Sequence, residues 1–397
     1  MIIGNPLLLK KAADSTPAED PVTRSLRFDR ASTQKLTRTF GTPTSQKKVT
    51  ISLWIKLAEQ GDGSSTTPYG GIIATGTHYT NYTAIKVGGG ATNSIIFDEV
   101  SGGAYKSHRD TSRAFRDMGA WMHCVHVIDT TDSTADDRSK LYINGTRYTG
   151  TFSASHANYS QNFDTQWSES GETITIGTEA QAYHFGGYLA DIHYIDGQAL
   201  AASDFAETDS STGQWVPKEY SGTYGNQGFH LDFKEDGATT SSNSGIGKDV
   251  SGNGNYFATT SISSSSLDTP TKNYAVLNPL AQSTYTLTNG NLECKRDASS
   301  AQSYVTSTIG VNASSATTSK WYWEVYAKTI SSNYPRIGIS SYYSRGGDEP
   351  TTSFLCGDTD GTGRAWASQN GSGDIDMGGG TSYAGMKFNG SNSGSEF

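Results

Sequence analysis

From Ser25 onward, short apolar runs alternate with clusters of Gly, Asn, Ser and Asp. Leu26 and Phe28 flank the polar Arg27. Val49, Ile51, Leu53, Ile55 and Leu57 recur at period two, with Trp54 on the opposite face. Successive side chains of a strand point to opposite faces, so this run predicts a strand with one face in a core. Trp121–Asp129 is apolar on both faces and predicts a central strand. Residues 140–145 read as a strand entering an Asn-Gly hairpin turn. Further strands are predicted over 173–177, 188–196 and 229–233. One short helix is predicted over 200–207, capped by Ser203 or Asp204. About a dozen short strands with a single helix predict an all-β fold, a large antiparallel jelly-roll sandwich.

The pattern weakens at two places. Residues 1–23 have no periodicity, and 12–21 are rich in Ala, Asp, Thr and Pro, the composition of an arm. Residues 261–266 hold five serines in six positions, typical of a flexible linker. A second β pattern follows, clearest at 321–327 and 336–340. The predicted organisation is therefore an arm at 1–23, a jelly roll at 24–257, a linker at 258–273 and a smaller β-sandwich at 274–397.

Composition narrows the function. Thirty Lys and Arg stand against thirty-nine Asp and Glu, a net charge of −9, with no basic cluster longer than a pair. Nucleic acid is excluded as the main partner. No apolar stretch is long enough to span a membrane, and the first residues do not have the form of a secretory signal. Cys124, Cys294 and Cys356 lie far apart in sequence and read as buried thiols.

Several stretches resemble known families. The run 25–28 followed by 49–56, the turn Leu141-Tyr142-Ile143-Asn144-Gly145, and the closing stretch 188–205 occur in an order and spacing similar to laminin-G-like jelly rolls. Those belong to the concanavalin-A-like lectin/glucanase class. The stretch 229–233 with the Asp249-Val250-Ser251-Gly252-Asn253 loop recurs in such jelly rolls. Ser319-Lys320-Trp321-Tyr322-Trp323-Glu324-Val325 and Arg336-Ile337-Gly338-Ile339 resemble the first part of a SPRY domain. Its later strands are not recognisable before Phe397, so this domain is expected to be incomplete. The combination, with 209–224, is similar to structural proteins of tailed phages, marine ones especially.

The resemblance implies a bacteriophage virion structural protein: a tail fibre, appendage or surface-decoration subunit. It would be made in the host cytoplasm and display lectin-like domains for adhesion to host surface glycans. The arm carries Ile2, Ile3, Leu7, Leu8 and Leu9 ahead of a polar spacer. Those aliphatics are expected to bury against other virion proteins or a second copy, making the protein a homo-oligomer. The bland alternative is that the arm returns to its own domain as an edge strand. The alternatives in function are a non-viral secreted carbohydrate-binding adhesin and, behind it, a polysaccharide hydrolase.

The chemistry of hydrolysis is missing from the sequence. Retaining glycosidases need two carboxylates about 5–5.5 Å apart. Neither Glu-x-Asp-x-Glu nor Glu-x-Asp-x-x-Glu occurs, and the nearest groups, Asp98 with Glu99 and Glu169 with Glu172, lack the pattern. The protein is therefore read as a binding protein, not an enzyme. His123 and His126, three apart on one strand, point to opposite faces and cannot share a metal without a bulge. Sugar binding calls for aromatic rings in loops, since rings stack on the apolar faces of sugars. Tyr79, Tyr82, Trp167 and Tyr183 are the candidates, chosen from a larger set that includes Tyr105 and Tyr159. No cofactor is required. Calcium, which takes oxygen ligands, is the one candidate ion, and the resemblance points to Asp249 and Asn253.

Overall fold

A computed structural model describes residues 20–296 except 59–69, 78–79, 89–92, 112, 116, 151–156, 180–182 and 283–284. It also describes 305–309 and strand fragments at 2–3, 323–324, 336–339, 356–357, 364–369, 375–376, 387–388 and 391–392. The chain divides into two compact units: 1–295 with 304–324, and 296–303 with 325–397.

The strands of the jelly roll begin with β1 (Leu26–Phe28), β2 (Lys35–Thr39), β3 (Lys48–Leu57), β4 (Gly70–Thr77), β5 (Asn81–Val87), β6 (Ile95–Ser101) and β7 (Ala104–Asp110). After these come β8 (Trp121–Asp129), β9 (Ser139–Ile143), β10 (Thr146–Arg147), β11 (Thr173–Ile176), β12 (Thr178–Glu179), β13 (Tyr183–His184) and β14 (Gly187–Asp196). The last four are β15 (Ala206–Thr208), β16 (Trp215–Pro217), β17 (Phe229–Leu231) and β18 (Ala258–Thr260). One sheet runs β10-β9-β8-β3-β14-β17, with β1 also on β14. The other runs β18-β2-β11-β4-β5-β6-β7, with the β12–β13 hairpin attached to β4. The two sheets make the predicted all-β jelly-roll sandwich.

Its core lies between them. Ile51, Leu53 and Ile55 of β3 meet Ile73, Ile85, Phe97 and Ile174 of the opposite sheet. The period-two face of β3 is thus inside, as its spacing requires. The other face is covered as well. Trp54, Trp121 and Tyr188 pack under Val22, Ala206 and Val276, with Trp215 against them. His123 stacks on Trp54 with ring centroids 4.8 Å apart, while His126 points inward against Phe97. The two histidines do occupy opposite faces.

Three expectations are corrected. The 200–207 helix is only a 3-10 turn, Ala202–Asp204, followed by β15, and Asp204 caps it by accepting a hydrogen bond from the Ala201 N–H. The 258–273 segment is not a linker. β18 pairs with β2, Ser25 and Ser266 exchange two backbone hydrogen bonds, and buried Asp268 binds Lys56 and Trp121. Serine satisfies a strand ladder with its backbone as any residue does, so composition alone misreads such a segment. Cys294 is exposed, whereas Cys124 is buried as expected.

The sequence's second sandwich begins too early at 274, because Ala275, Val276 and Leu277 are buried in the first unit. Of the expected 321–327 strand, Trp323–Glu324 is described; it pairs with Ile2–Ile3 and belongs to the first unit. The rest of the arm up to residue 19 lies outside the described residues. In the second unit Arg336–Ile339, Arg364–Gln369, Cys356–Gly357 and Ile375–Asp376 form one four-stranded sheet. Among the described residues no helix is long and apolar enough to cross a membrane.

Candidate functional site

The outer face of the second sheet carries a row of charges. Asp98 on β6 is directly opposite His108 on β7 and Ala84 on β5, with Lys86 two residues further along β5. Lys86 Nζ lies 2.7 Å from Asp98 Oδ2 and 3.4 Å from Glu179 Oε1. His108 Nδ1 bonds the other Asp98 oxygen, and the Tyr82 hydroxyl donates to Asp98 Oδ2 at 3.3 Å. Glu179 reaches this row because β12 crosses over β4 at Gly71. A Cβ there would stand 2.1 Å from the Glu179 nitrogen, so only glycine admits the crossing.

Asp98, Lys86, Glu179 and His108 are all buried. Burial opposes ionisation of Asp98, but the His108 hydrogen bond and the Lys86 charge outweigh it and hold the carboxyl below its usual range. Burial also opposes the Lys86 charge, and Asp98 and Glu179 overcome it, raising the Lys86 pKa. At Glu179 burial wins over Lys86 and pushes the carboxyl up. Asp98 and Glu179 thus share one ammonium group instead of flanking a cleft, an arrangement suited to holding the sheet face in shape. At its edge Tyr105, 47% exposed, lies against His108 with ring centroids 4.5 Å apart. This places an accessible aromatic ring beside a fixed polar platform, the combination that sugar binding uses.

The sequence candidates fall in different places. Tyr79 lies outside the described residues. Tyr82 is buried beneath the charge row. Trp167 is 0% exposed, in the core against His126, and its carbonyl accepts the Tyr194 hydroxyl. A ring with no exposed face cannot stack on a sugar, so Tyr82 and Trp167 are withdrawn as glycan contacts. Tyr183 is half-buried on β13. Tyr105, passed over in that choice, is the exposed ring among the described residues.

The Asp249 loop is closed on itself. Asp249 Oδ1 accepts the His230 and Ser251 N–H groups, both at 2.9 Å. Its Oδ2 accepts the Ser251 hydroxyl at 2.9 Å and the Asn255 N–H at 2.6 Å. Asn253 Nδ2 donates to the Gly225 and Gly228 carbonyls. Carboxylate oxygens that face N–H and O–H donors are committed, and a calcium ion would have to displace those donors. As folded, this loop is a hydrogen-bonded knot tying 249–255 to β17.

A second polar cluster was not singled out by the sequence. His193 on β14 is directly opposite His230 on β17. Asp191 lies at an irregularity of β14 with φ +51°. Its Oδ1 is 2.8 Å from His230 Nε2 and 3.1 Å from His193 Nε2. Histidines 37 residues apart give no spacing signal; only the strand pairing joins them.

Residues 30–206 match the family model of the concanavalin A-like lectin/glucanases superfamily. That stretch therefore carries a concanavalin-A-like jelly-roll fold. None of the curated proteins matches the chain. Among solved structures it is similar to the heptameric SAP-like pentraxin of Limulus polyphemus at 20% identity and TM-score 0.33, covering 46% of this chain and 80% of that one. It is similar to domains LG4-5 of the mouse laminin alpha1 chain at 14% identity and TM-score 0.31, covering 61% and 58%. It is also similar to tailspike protein 2 of the Escherichia coli O157:H7 bacteriophage CAB120 at 13% identity and TM-score 0.30, covering 49% and only 28%. At these TM-scores the likeness carries no argument.

Proposed function

We propose that this protein is a non-enzymatic, carbohydrate-binding subunit of a phage virion appendage. The observation that carries the binding half is the match of residues 30–206 to a lectin/glucanase family. It is supported by the exposed Tyr105 ring above a rigid charged platform. The absence of a glucanase carboxylate motif from the sequence, and the joint capture of Asp98 and Glu179 by Lys86, favour binding over hydrolysis. The virion half rests on the resemblance of the domain pairing to tailed-phage structural proteins. In this reading the arm of residues 1–23, whose Ile2–Ile3 pairs with Trp323–Glu324 and whose Val22 is buried in the first unit, attaches the subunit to other virion proteins or to further copies of itself through its remaining residues.

Two measurements test the two halves. The full chain on an array of bacterial and algal polysaccharides is expected to retain a restricted set of glycans without releasing reducing sugar. Retention of none rejects the binding half, and release of reducing sugar favours the hydrolase. For the virion half, the protein is expected to remain with purified particles in a density gradient. Its presence only in the soluble fraction of the lysate rejects that half.

A further inference from the structure

In a regular strand, residues two apart stand about 6.6 Å from each other on one face. Asp191 and His193 do not keep that separation. The register of β14 against β3 shifts between Ala190 and His193, and Asp191 adopts φ +51°. The carboxylate turns toward both imidazoles, and one ligand atom from each of Asp191, His193 and His230 lies within 4.8 Å of the other two.

An independent feature marks the same point. His193 Nε2 is enclosed and makes no hydrogen bond, although Asp191 Oδ1 is 3.1 Å away. A buried polar atom whose nearest partner lies off the hydrogen-bond direction is costly. Its ring is otherwise held: Nδ1 is 2.9 Å from the Tyr224 hydroxyl. In the tautomer that donates Nδ1–H to this hydroxyl, the Nε2 lone pair is aimed at the cluster. A hydrogen bond at the far nitrogen is also what orients metal-bound histidines.

We infer that Asp191, His193 and His230 form a binding site for a divalent transition-metal ion of the zinc type. Two imidazoles and a carboxylate are its common donors, while calcium prefers oxygen alone. Three protein ligands leave a fourth position, and it opens past His230, whose side chain is 20% exposed. Bonds of about 2.0–2.1 Å place tetrahedral ligands about 3.3 Å apart, so the observed 2.8 and 3.1 Å separations widen by tenths of an ångström. The larger adjustment is angular. The two rings stack at 4.0 Å with 20° between their planes, so their lone pairs run side by side. His230, on the edge strand β17, is the ligand that tilts to meet the ion. Its backbone N–H is anchored on Asp249 at 2.9 Å, which fixes the strand while the ring turns.

The test uses the untagged full chain after dialysis against a chelator. Cobalt(II) is expected to give the intense visible absorption of a tetrahedral site, saturating at one equivalent, and zinc is expected to raise the melting temperature. His230→Ala and Asp191→Asn should each weaken zinc binding by about a hundredfold, while His184→Ala binds normally. Wild-type protein that takes up neither ion overturns the inference, as do variants that bind like wild type. Should the variants fail to fold, the wild type still decides. Zinc is expected to protect His230 from diethyl pyrocarbonate, read by peptide mass spectrometry, and unchanged modification overturns the site.

Discussion

Glu99 shows how much one buried side chain can weigh. It is enclosed between the sheets, accepting the Gln166 N–H at 2.9 Å and the Tyr159 hydroxyl at 2.8 Å. Burial pushes its pKa up to about 8 despite those donors. Such an acid stabilises the fold while protonated in both states. Its contribution is lost as pH rises from the ordinary carboxylate value of 4.5 through about 8. His123 and His126 act in the opposite sense. Burial lowers both to about 3, so their contribution is lost as pH falls from 6.5 through about 3. Glu99→Gln is therefore expected to raise stability at pH 8 by a few kcal/mol and to leave the acid-side loss intact. Urea melts at pH 5 and pH 8 check it; an unchanged difference between the two would contradict the burial argument. The sequence shows that Asp98 and Glu99 face opposite ways. It does not show which acid faces the core, because nothing in it announces the Tyr159 and Gln166 donors.

Strands were legible where one face is uniformly apolar. β3 and β14 could be read directly, and the inner face of β3 is the one its period-two residues form. Leu53→Ala removes a fully buried side chain and is expected to cost about 2–5 kcal/mol by chemical denaturation; no loss would mean that the face is misassigned. Features set by a neighbouring strand were not legible. The Asp191 irregularity, the His193–His230 pairing and the Gly71 crossing arise from register, which local periodicity does not encode. The 200–207 segment failed for a related reason. Its capping signal is real, but β15 pairs with β16 and ends the turn after three residues.

On the scale of the molecule, the jelly roll and its class were legible, because family-like stretches keep their order along the chain. The boundary after it was not. Lys56, fully buried, binds Asp268 Oδ2 and Asn273 Oδ1 at 2.7 Å and the Tyr274 carbonyl at 2.5 Å, tying the 268–274 segment to β3. Limited proteolysis is accordingly expected to spare 258–268 in the wild type. Asp268→Ala leaves the ammonium short of its carboxylate, a defect of about 3–5 kcal/mol, and is expected to make that stretch cleavable. Cleavage there in the wild type would restore the linker reading. The proposed glycan site lies at the edge of the charged outer face, next to Tyr105. Its most direct test is the affinity of the full chain and of Tyr105→Ala for the strongest array ligand, by titration calorimetry. A loss of about tenfold, the value of one aromatic stacking contact, with an unchanged melting temperature is the predicted result; equal affinity of the two proteins would contradict it.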